Sequence, residues 1–220
     1  GFVVSRPCNP MAALMLKLPE PLIEVTLRAS AALAGLWFVV NAWLQWRAAP
    51  TRLTLPLIVI GEMTTVLLLL CSRVPKRRDW HPLSCLCTLV ATYYFIAVRL
   101  APGAHLLPES AGSAMQCIGL IWALLAKLSL RGSFGMLPAN RGVVSSGVYR
   151  WTRHPMYTGY FVSHMGFLLA NFGAHNVLLF TALYVAQGWR VWSEERLLAR
   201  DPAYRRYMQR VRYRVLPGVF

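Results

Sequence analysis

Arg153, His154 and Pro155 stand side by side between a glycine-punctuated basic loop and an apolar run. A guanidinium can hold a carboxylate or phosphate through paired hydrogen bonds. An imidazole can donate, accept or carry a proton near neutral pH. Pro155 lacks a backbone N–H and has a fixed φ, so it suits the first position of a helix. His154 is thereby pushed out of the α region. A helix therefore starts at Pro155, with two basic side chains at its entrance. A helix N-terminus carries partial positive charge and favours anions, so cations there need an anion among them. Two readings follow. One is an anion site made by Arg153, His154 and free backbone N–H groups. The other is a solvated basic loop at a membrane surface.

Further candidates lie downstream and upstream. Arg190 and Glu194 are four apart, with Glu195 next. They form either an ordinary ion pair on a helix or a carboxylate pair carried to the Arg153–His154 entrance. The second reading requires the apolar runs Met156–Ala170 and Asn176–Trp192 to form an antiparallel hairpin around the turn 171–175. Tyr157 would then join them. Glu62 lies in the middle of an apolar run, where an ionisable group is a functional candidate. It is expected to be structural, a neutral carboxyl hydrogen-bonded to a neighbouring helix with Thr64 or Thr65 nearby. His164 is expected to be a packing histidine. Cys8, Cys71, Cys85, Cys87 and Cys117 have no zinc or disulfide spacing and read as small apolar residues.

The elements that must position these residues are transmembrane helices. The chain is 56% hydrophobic and 14% charged, against about 25% charged in a soluble domain. Its formal net charge is +15. Nucleic-acid binding could explain such charge, but apolar spans separate the basic clusters, which excludes that class. The expected fold is all-α and polytopic, with six spans: 22–46, 53–71, 82–100, 110–130, 156–170 and 176–192. Residues 1–21 form an interfacial segment, including a short helix over Met11–Leu18. Residues 22–130 hold four spans, and residues 131–220 form the functional core with a basic tail. No cleavable leader is expected, and Met11 would serve as a start. Arg73, Lys76, Arg77 and Arg78, the loop 131–154 and the tail put most basic residues on one face. The positive-inside rule makes that face cytoplasmic, with both termini on it and anionic headgroups against the tail. Pro202, after Asp201, starts a further helix in the tail.

Gly147-Val148-Tyr149-Arg150, followed by Arg153-His154-Pro155-Met156-Tyr157-Thr158-Gly159, resembles the R-H-P-x-Y-x-G signature of the isoprenylcysteine carboxyl methyltransferases. The phospholipid N-methyltransferases are similar. Glu194-Glu195, Tyr204, Tyr207 and Val215-Leu216-Pro217 resemble the rest of that family's C-terminal half. Ser133-Phe134-Gly135 and Pro138 look like the bacterial form. The resemblance covers Ser129 to Phe220, and Asp201-Pro202 departs from it. It implies an integral-membrane methyltransferase of a bacterial inner membrane that uses S-adenosylmethionine without a metal. His154, Tyr157 and Glu195 would line the cofactor pocket, and Arg153, Arg190 and Glu194 would act at the reacting centre. The acceptor would be lipophilic: an isoprenylcysteine-like carboxylate, a thiol or a phospholipid amine. An amine would need deprotonation, by Glu62 or His164. Two alternatives are an NADPH-dependent membrane reductase, similar in its C-terminal half, and a non-enzymatic lipid-binding or transport protein.

Overall fold

Pro155 starts the helix on which the bundle is built. The computed structural model describes residues 20–71, 82–130, 145–216 and 218. Among them seven α-helices follow in order: α1 (Glu20–Ala48), α2 (Thr54–Leu70), α3 (Pro82–Tyr93), α4 (Glu109–Leu130), α5 (Pro155–Ala170), α6 (Ala174–Leu198) and α7 (Pro202–Arg210). Single 3-10 turns occupy Tyr94–Ala97 and Gly147–Arg150. The expected helix Met11–Leu18, the basic loop 73–78 and Ser133–Pro138 lie outside the described residues.

The expected all-α class holds for the described residues. Two helical stretches, Leu22–Ala48 and Glu109–Ser129, are long and apolar enough to cross a bilayer, and Thr54–Leu70 and Cys85–Ala97 are apolar but shorter. The third expected span ends early. α3 tightens into a 3-10 turn that turns Tyr94 and Phe95 into the core, where Phe95 meets Phe38 edge-on at 5.3 Å. α6 instead runs past its apolar stretch and carries Arg190, Glu194 and Glu195 on the same rigid rod. Large apolar side chains face outward from several helices, including Leu33, Ile60, Leu89, Ile121, Leu178 and Val185. Such a surface suits hydrocarbon rather than water. Cys71 and Cys117 belong to the exposed surface; Cys87 alone is buried among the free cysteines described.

α5 has no exposed residue along its length. An apolar helix buried on all sides is a central one, which explains how it can be shorter than a full span. Its contact with α4 is a seam of small residues. A Cβ on Gly159 would lie 2.6 Å from Ala123 N and Gly119 O, and one on Gly166 would lie 2.5 Å from Gly112 O. Glycine seven apart on each helix thus lets two antiparallel backbones touch, the packing that replaces hydrophobic drive in lipid. Against α6, by contrast, α5 is spaced by rings: Phe161 on Tyr184 at 5.2 Å and His164 on Phe180 at 5.0 Å. The expected hairpin therefore exists, held apart by aromatic side chains.

Polar bonds close both ends of the bundle. At one end Arg52 Nη2 donates to Asn171 Oδ1 (2.5 Å) and Asn171 Nδ2 to Thr54 Oγ1 (2.9 Å). Glu109 Oε1 there accepts from Thr54 N and Oγ1, both at 2.6 Å. At the other end Arg28 pairs with Glu24 at 2.7 Å, as its i,i+4 spacing suggests, and also donates to Leu70 O. Asp201 caps α7 by accepting from Ala203 N at 2.8 Å. The seam gives the first prediction. Gly159→Ala should destabilise the protein by about 1–3 kcal/mol through overpacking. Gly188→Ala, on the outer face of α6 with nothing within 4 Å of its Cβ, should leave it equal or slightly more stable. Thermal unfolding in detergent measures both.

Candidate functional site

The chain's own tail closes the entrance to α5. Tyr207 OH donates to Tyr149 O at 2.6 Å, and Tyr204, Tyr207 and Val211 pack with Leu198 and Met208. This brings the segment after α7 back across the start of α5. Arg153 N donates to Tyr213 O (2.9 Å), His154 N to Arg214 O (2.7 Å) and Thr158 Oγ1 to Val215 O (2.5 Å). The N–H groups of Arg153 and His154 are thus occupied by tail carbonyls.

The anion that the helix entrance calls for comes from α6. Glu195 Oε1 lies 2.6 Å from Arg153 Nε and 3.3 Å from His154 Nε2. Its Oε2 accepts from Arg214 Nε at 2.7 Å and from Arg153 Nη2 at 3.3 Å. Arg153 also donates to Val211 O. Arg153 and His154 are each 8% exposed, and Glu195 4%. The solvated-loop reading therefore fails, because both basic side chains are buried and paired. Burial alone would raise the Glu195 carboxyl, but the close approach of His154, the hydrogen bond from Arg214 and the charge of Arg153 outweigh it and hold it at about 2. Around the same carboxylate, burial pushes the phenols of Tyr204 and Tyr207 up.

Three of the six sequence-predicted residues, Arg153, His154 and Glu195, thus meet directly. Tyr157 follows one turn into α5, its ring 6.0 Å from that of His154 and 6.4 Å from that of Tyr160. Arg190 and Glu194 lie on α6 within electrostatic reach of Tyr157. Three polar atoms at the centre, Arg153 Nε, His154 Nε2 and Glu195 Oε1, are buried without an aligned hydrogen bond. Two arginines and a histidine surround one carboxylate, so the cluster has positive charge to spare. Sequence reasoning missed Arg214 and the tail carbonyls. No spacing rule could have supplied them, because the tail returns through α7 packing. Among the described residues no group of three His, Cys, Asp or Glu is placed to hold a metal.

The pH dependence of Glu195 has a definite sign. Its folded pKa lies below the ordinary 4.5, so its contribution is full above that value and is lost as pH falls from about 4.5 to about 2. Acid unfolding should show this limb, and Glu195→Gln should remove it. Glu195→Ala should cost about 3–5 kcal/mol, since it leaves buried cations unpaired. Equilibrium unfolding between pH 2 and pH 7 reads both.

Residues 113–200 match the model of the isoprenylcysteine carboxyl methyltransferase (ICMT) family. The match begins within α4, earlier than the motif resemblance, and ends before α7. Comparison with curated proteins gives no match. The matched segment contains the α4–α5 seam, the Arg153–His154 entrance and the Glu194–Glu195 end of α6. Over that segment the chain is similar to the isoprenylcysteine carboxyl methyltransferase family, a family of membrane methyltransferases.

Proposed function

We propose that this chain is an integral-membrane methyltransferase that uses S-adenosylmethionine and acts on a lipophilic acceptor held in the bilayer. One observation carries the reading: the buried Arg153–His154–Glu195–Arg214 cluster beside Tyr157, largely inside the matched segment. The residues fit the cofactor. Its carboxylate suits the surplus positive charge of Arg153 and Arg214, which share the single Glu195 carboxylate. Its adenine and cationic centre suit the rings of His154 and Tyr157. Glu194 can accept ribose hydroxyls or face the positive centre, and Arg190 stands beside Tyr157 for the acceptor's polar head. Glu195 holds Arg153 and His154 in place.

The cofactor, when bound, supplies an electrophilic methyl group on sulfur. The protein's contribution is then position and exclusion of water. Glu195 fixes the two basic side chains, the tail carbonyls fix the backbone beneath them, and α5 fixes Tyr157 through its seam with α4. A nicotinamide-dependent reductase is the competing enzyme reading. It would need a different ligand at the same cluster.

Calorimetric titration decides between them. S-adenosylhomocysteine should bind and NADPH should not. Arg153→Ala should weaken S-adenosylhomocysteine by the loss of a charged hydrogen bond, about 1.5–3 kcal/mol or about ten- to a hundredfold. Arg153→Lys should recover part of it, because lysine lacks the planar fork. NADPH binding with no response to S-adenosylhomocysteine would overturn the proposal.

The same reading has six membrane crossings with both termini on the basic, cytoplasmic face. Single cysteines at Ala101 and Gln209, both exposed, in a background without the native thiols, should label from opposite sides. Gly103 is unsuitable, because its Cβ would meet Phe172 O at 2.5 Å. Labelling of both from one side would exclude the arrangement.

A further inference from the structure

Glu62 and His164, far apart in sequence, meet in the middle of the bundle. Tyr94 OH donates to Glu62 Oε1 at 2.5 Å, and Tyr94 Oη lies 2.8 Å from His164 Nε2. His164 Nε2 is also 3.3 Å from Glu62 Oε1. On the other side of the ring, His164 Nδ1 is 2.6 Å from Tyr184 OH. All of Glu62, Tyr94 and His164 are buried, whereas Tyr184 is half-buried. The ring of His164 is clamped between Phe180 at 5.0 Å, stacked, and Tyr160 at 6.4 Å, also stacked. α2, the 3-10 turn, α5 and α6 each contribute one polar member. From α4, Lys127 Nζ lies 3.4 Å from Thr65 Oγ1 and 5.1 Å from the Tyr160 ring centre, so it faces Thr65 and Tyr160 while within electrostatic reach of Glu62.

With Glu62 as a carboxylate and His164 neutral, one tautomer satisfies every contact. The one hydroxyl proton of Tyr94 goes to the Glu62 carboxylate, so Tyr94 Oη must accept from His164 Nε2–H. His164 Nδ1 then carries a lone pair and accepts from Tyr184 OH. Glu62, through Tyr94, and Tyr184 thus bond opposite sides of one imidazole, a chain through which a histidine can take a proton from a hydroxyl while a carboxylate 3.3 Å away steadies the imidazolium. Uptake of a proton requires only that the Tyr184 hydroxyl rotate to accept from Nδ1–H. A purely structural carboxyl, as expected for Glu62, needs Tyr94 but not a histidine so arranged.

Two observations tie this cluster to the entrance. His154, Tyr157, Tyr160 and His164 follow one another on α5 with ring centres 6.0, 6.4 and 6.4 Å apart. On α6, one turn beyond Tyr184 and one before Arg190, Gln187 is 7% exposed and its Oε1 has no hydrogen-bond partner among the described residues. An orphaned acceptor between two polar clusters matches a ligand that brings a hydrogen to donate.

We propose that Glu62, His164 and Tyr184 form an intramembrane proton-accepting relay, and that the methyl acceptor is therefore a protic nucleophile, an amine or thiol at the head of a lipophilic molecule. The inference rests on the methyltransferase reading. The acceptor's N–H or S–H bond breaks, its proton passing to Tyr184 Oη as Tyr184's own proton passes to His164 Nδ1. The electron pair left on nitrogen or sulfur forms the bond to the methyl carbon, and the pair of the broken carbon–sulfur bond stays on the cofactor's sulfur. His164 ends as an imidazolium beside the Glu62 carboxylate. A carboxylate acceptor carries no such proton and would leave the relay without a task.

The test uses the full chain in detergent with labelled S-adenosylmethionine and three acceptors of one chain length: an amine, a thiol and a carboxylate. The amine or the thiol should be the best substrate, and which of the two wins names the acceptor class. Tyr184→Phe and His164→Asn should lower kcat by about a hundredfold, the scale of a general base. They should also flatten the rise of kcat with pH and leave S-adenosylhomocysteine affinity unchanged. Without any cofactor, the His164 ring 15N resonances should shift to the doubly protonated pattern when the long-chain amine or thiol is added. The carboxylate as best substrate, or full turnover in Tyr184→Phe, would overturn the relay. Failure of S-adenosylhomocysteine to bind would instead remove the methyltransferase reading. In that case the resonance shift still decides whether the relay takes a proton.

Discussion

One carboxylate holds the entrance of α5, the end of α6 and the returning tail together. Glu195 reaches from α6 to Arg153 and His154 at the head of α5 and to Arg214 in the returning tail. Three chain segments far apart in sequence therefore share one anion. The arrangement resolves the electrostatic conflict at Pro155. Two basic groups at the positive end of a helix repel unless a negative charge sits among them, and here the protein carries that charge itself. The four groups together keep a positive surplus, two arginines against one carboxylate. That surplus, rather than a vacant anion site, is what a ligand carboxylate can meet.

A bundle facing hydrocarbon must satisfy its polar groups internally, since lipid offers no partners. The structure does so by concentrating them. The far end closes through Arg52, Asn171, Thr54 and Glu109. The middle closes through Glu62, Tyr94, His164 and Tyr184. Threonines such as Thr64 and Thr65 return their hydroxyls to their own helix, at Ile60 O and Gly61 O. They are therefore not the partners of Glu62 that proximity in sequence suggests. Some buried polar atoms remain without a hydrogen bond among the described residues, Gln116 and Gln187 Oε1 among them.

Local rules made much of this readable. Proline before an apolar run marked the start of α5, and Asp201-Pro202 marked the start and cap of α7. Apolar length placed α1, α2 and α4 within two residues. The misread parts have one cause. α3 ends early because Tyr94 and Phe95 are worth more in the core than as another helical turn, a tertiary preference that periodicity does not encode. The hairpin brings Glu195 to Arg153, 42 residues away, as the sequence suggests, but Arg214, 19 residues on, is a partner no spacing announces. The partners of Glu62 are farther still: His164 is 102 residues on. Spacing rules see one helix turn; these contacts are set by which helices the seam brings together.

The two sides of α5 divide the labour. Toward α4 the glycines at 112, 119, 159 and 166 leave no room for adjustment, so the helix cannot slide or rotate there without backbone collision. Toward α6 the contact is made by ring edges and faces, which can change rotamer at small cost. Every polar or aromatic residue assigned a role on α5, from His154 to His164, is carried by a helix that is rigid at its back. The residues opposite, Tyr184, Gln187, Arg190 and Glu194, sit on a second long helix whose end is fixed by Glu195. Movement between the two is thus confined to side chains. A lipophilic acceptor entering between α5 and α6 would displace rings rather than helices, and its head group would meet groups already held in place. For the methyl transfer proposed above, preorganisation of that kind would be the protein's largest lever, since the cofactor would supply the electrophile ready-made.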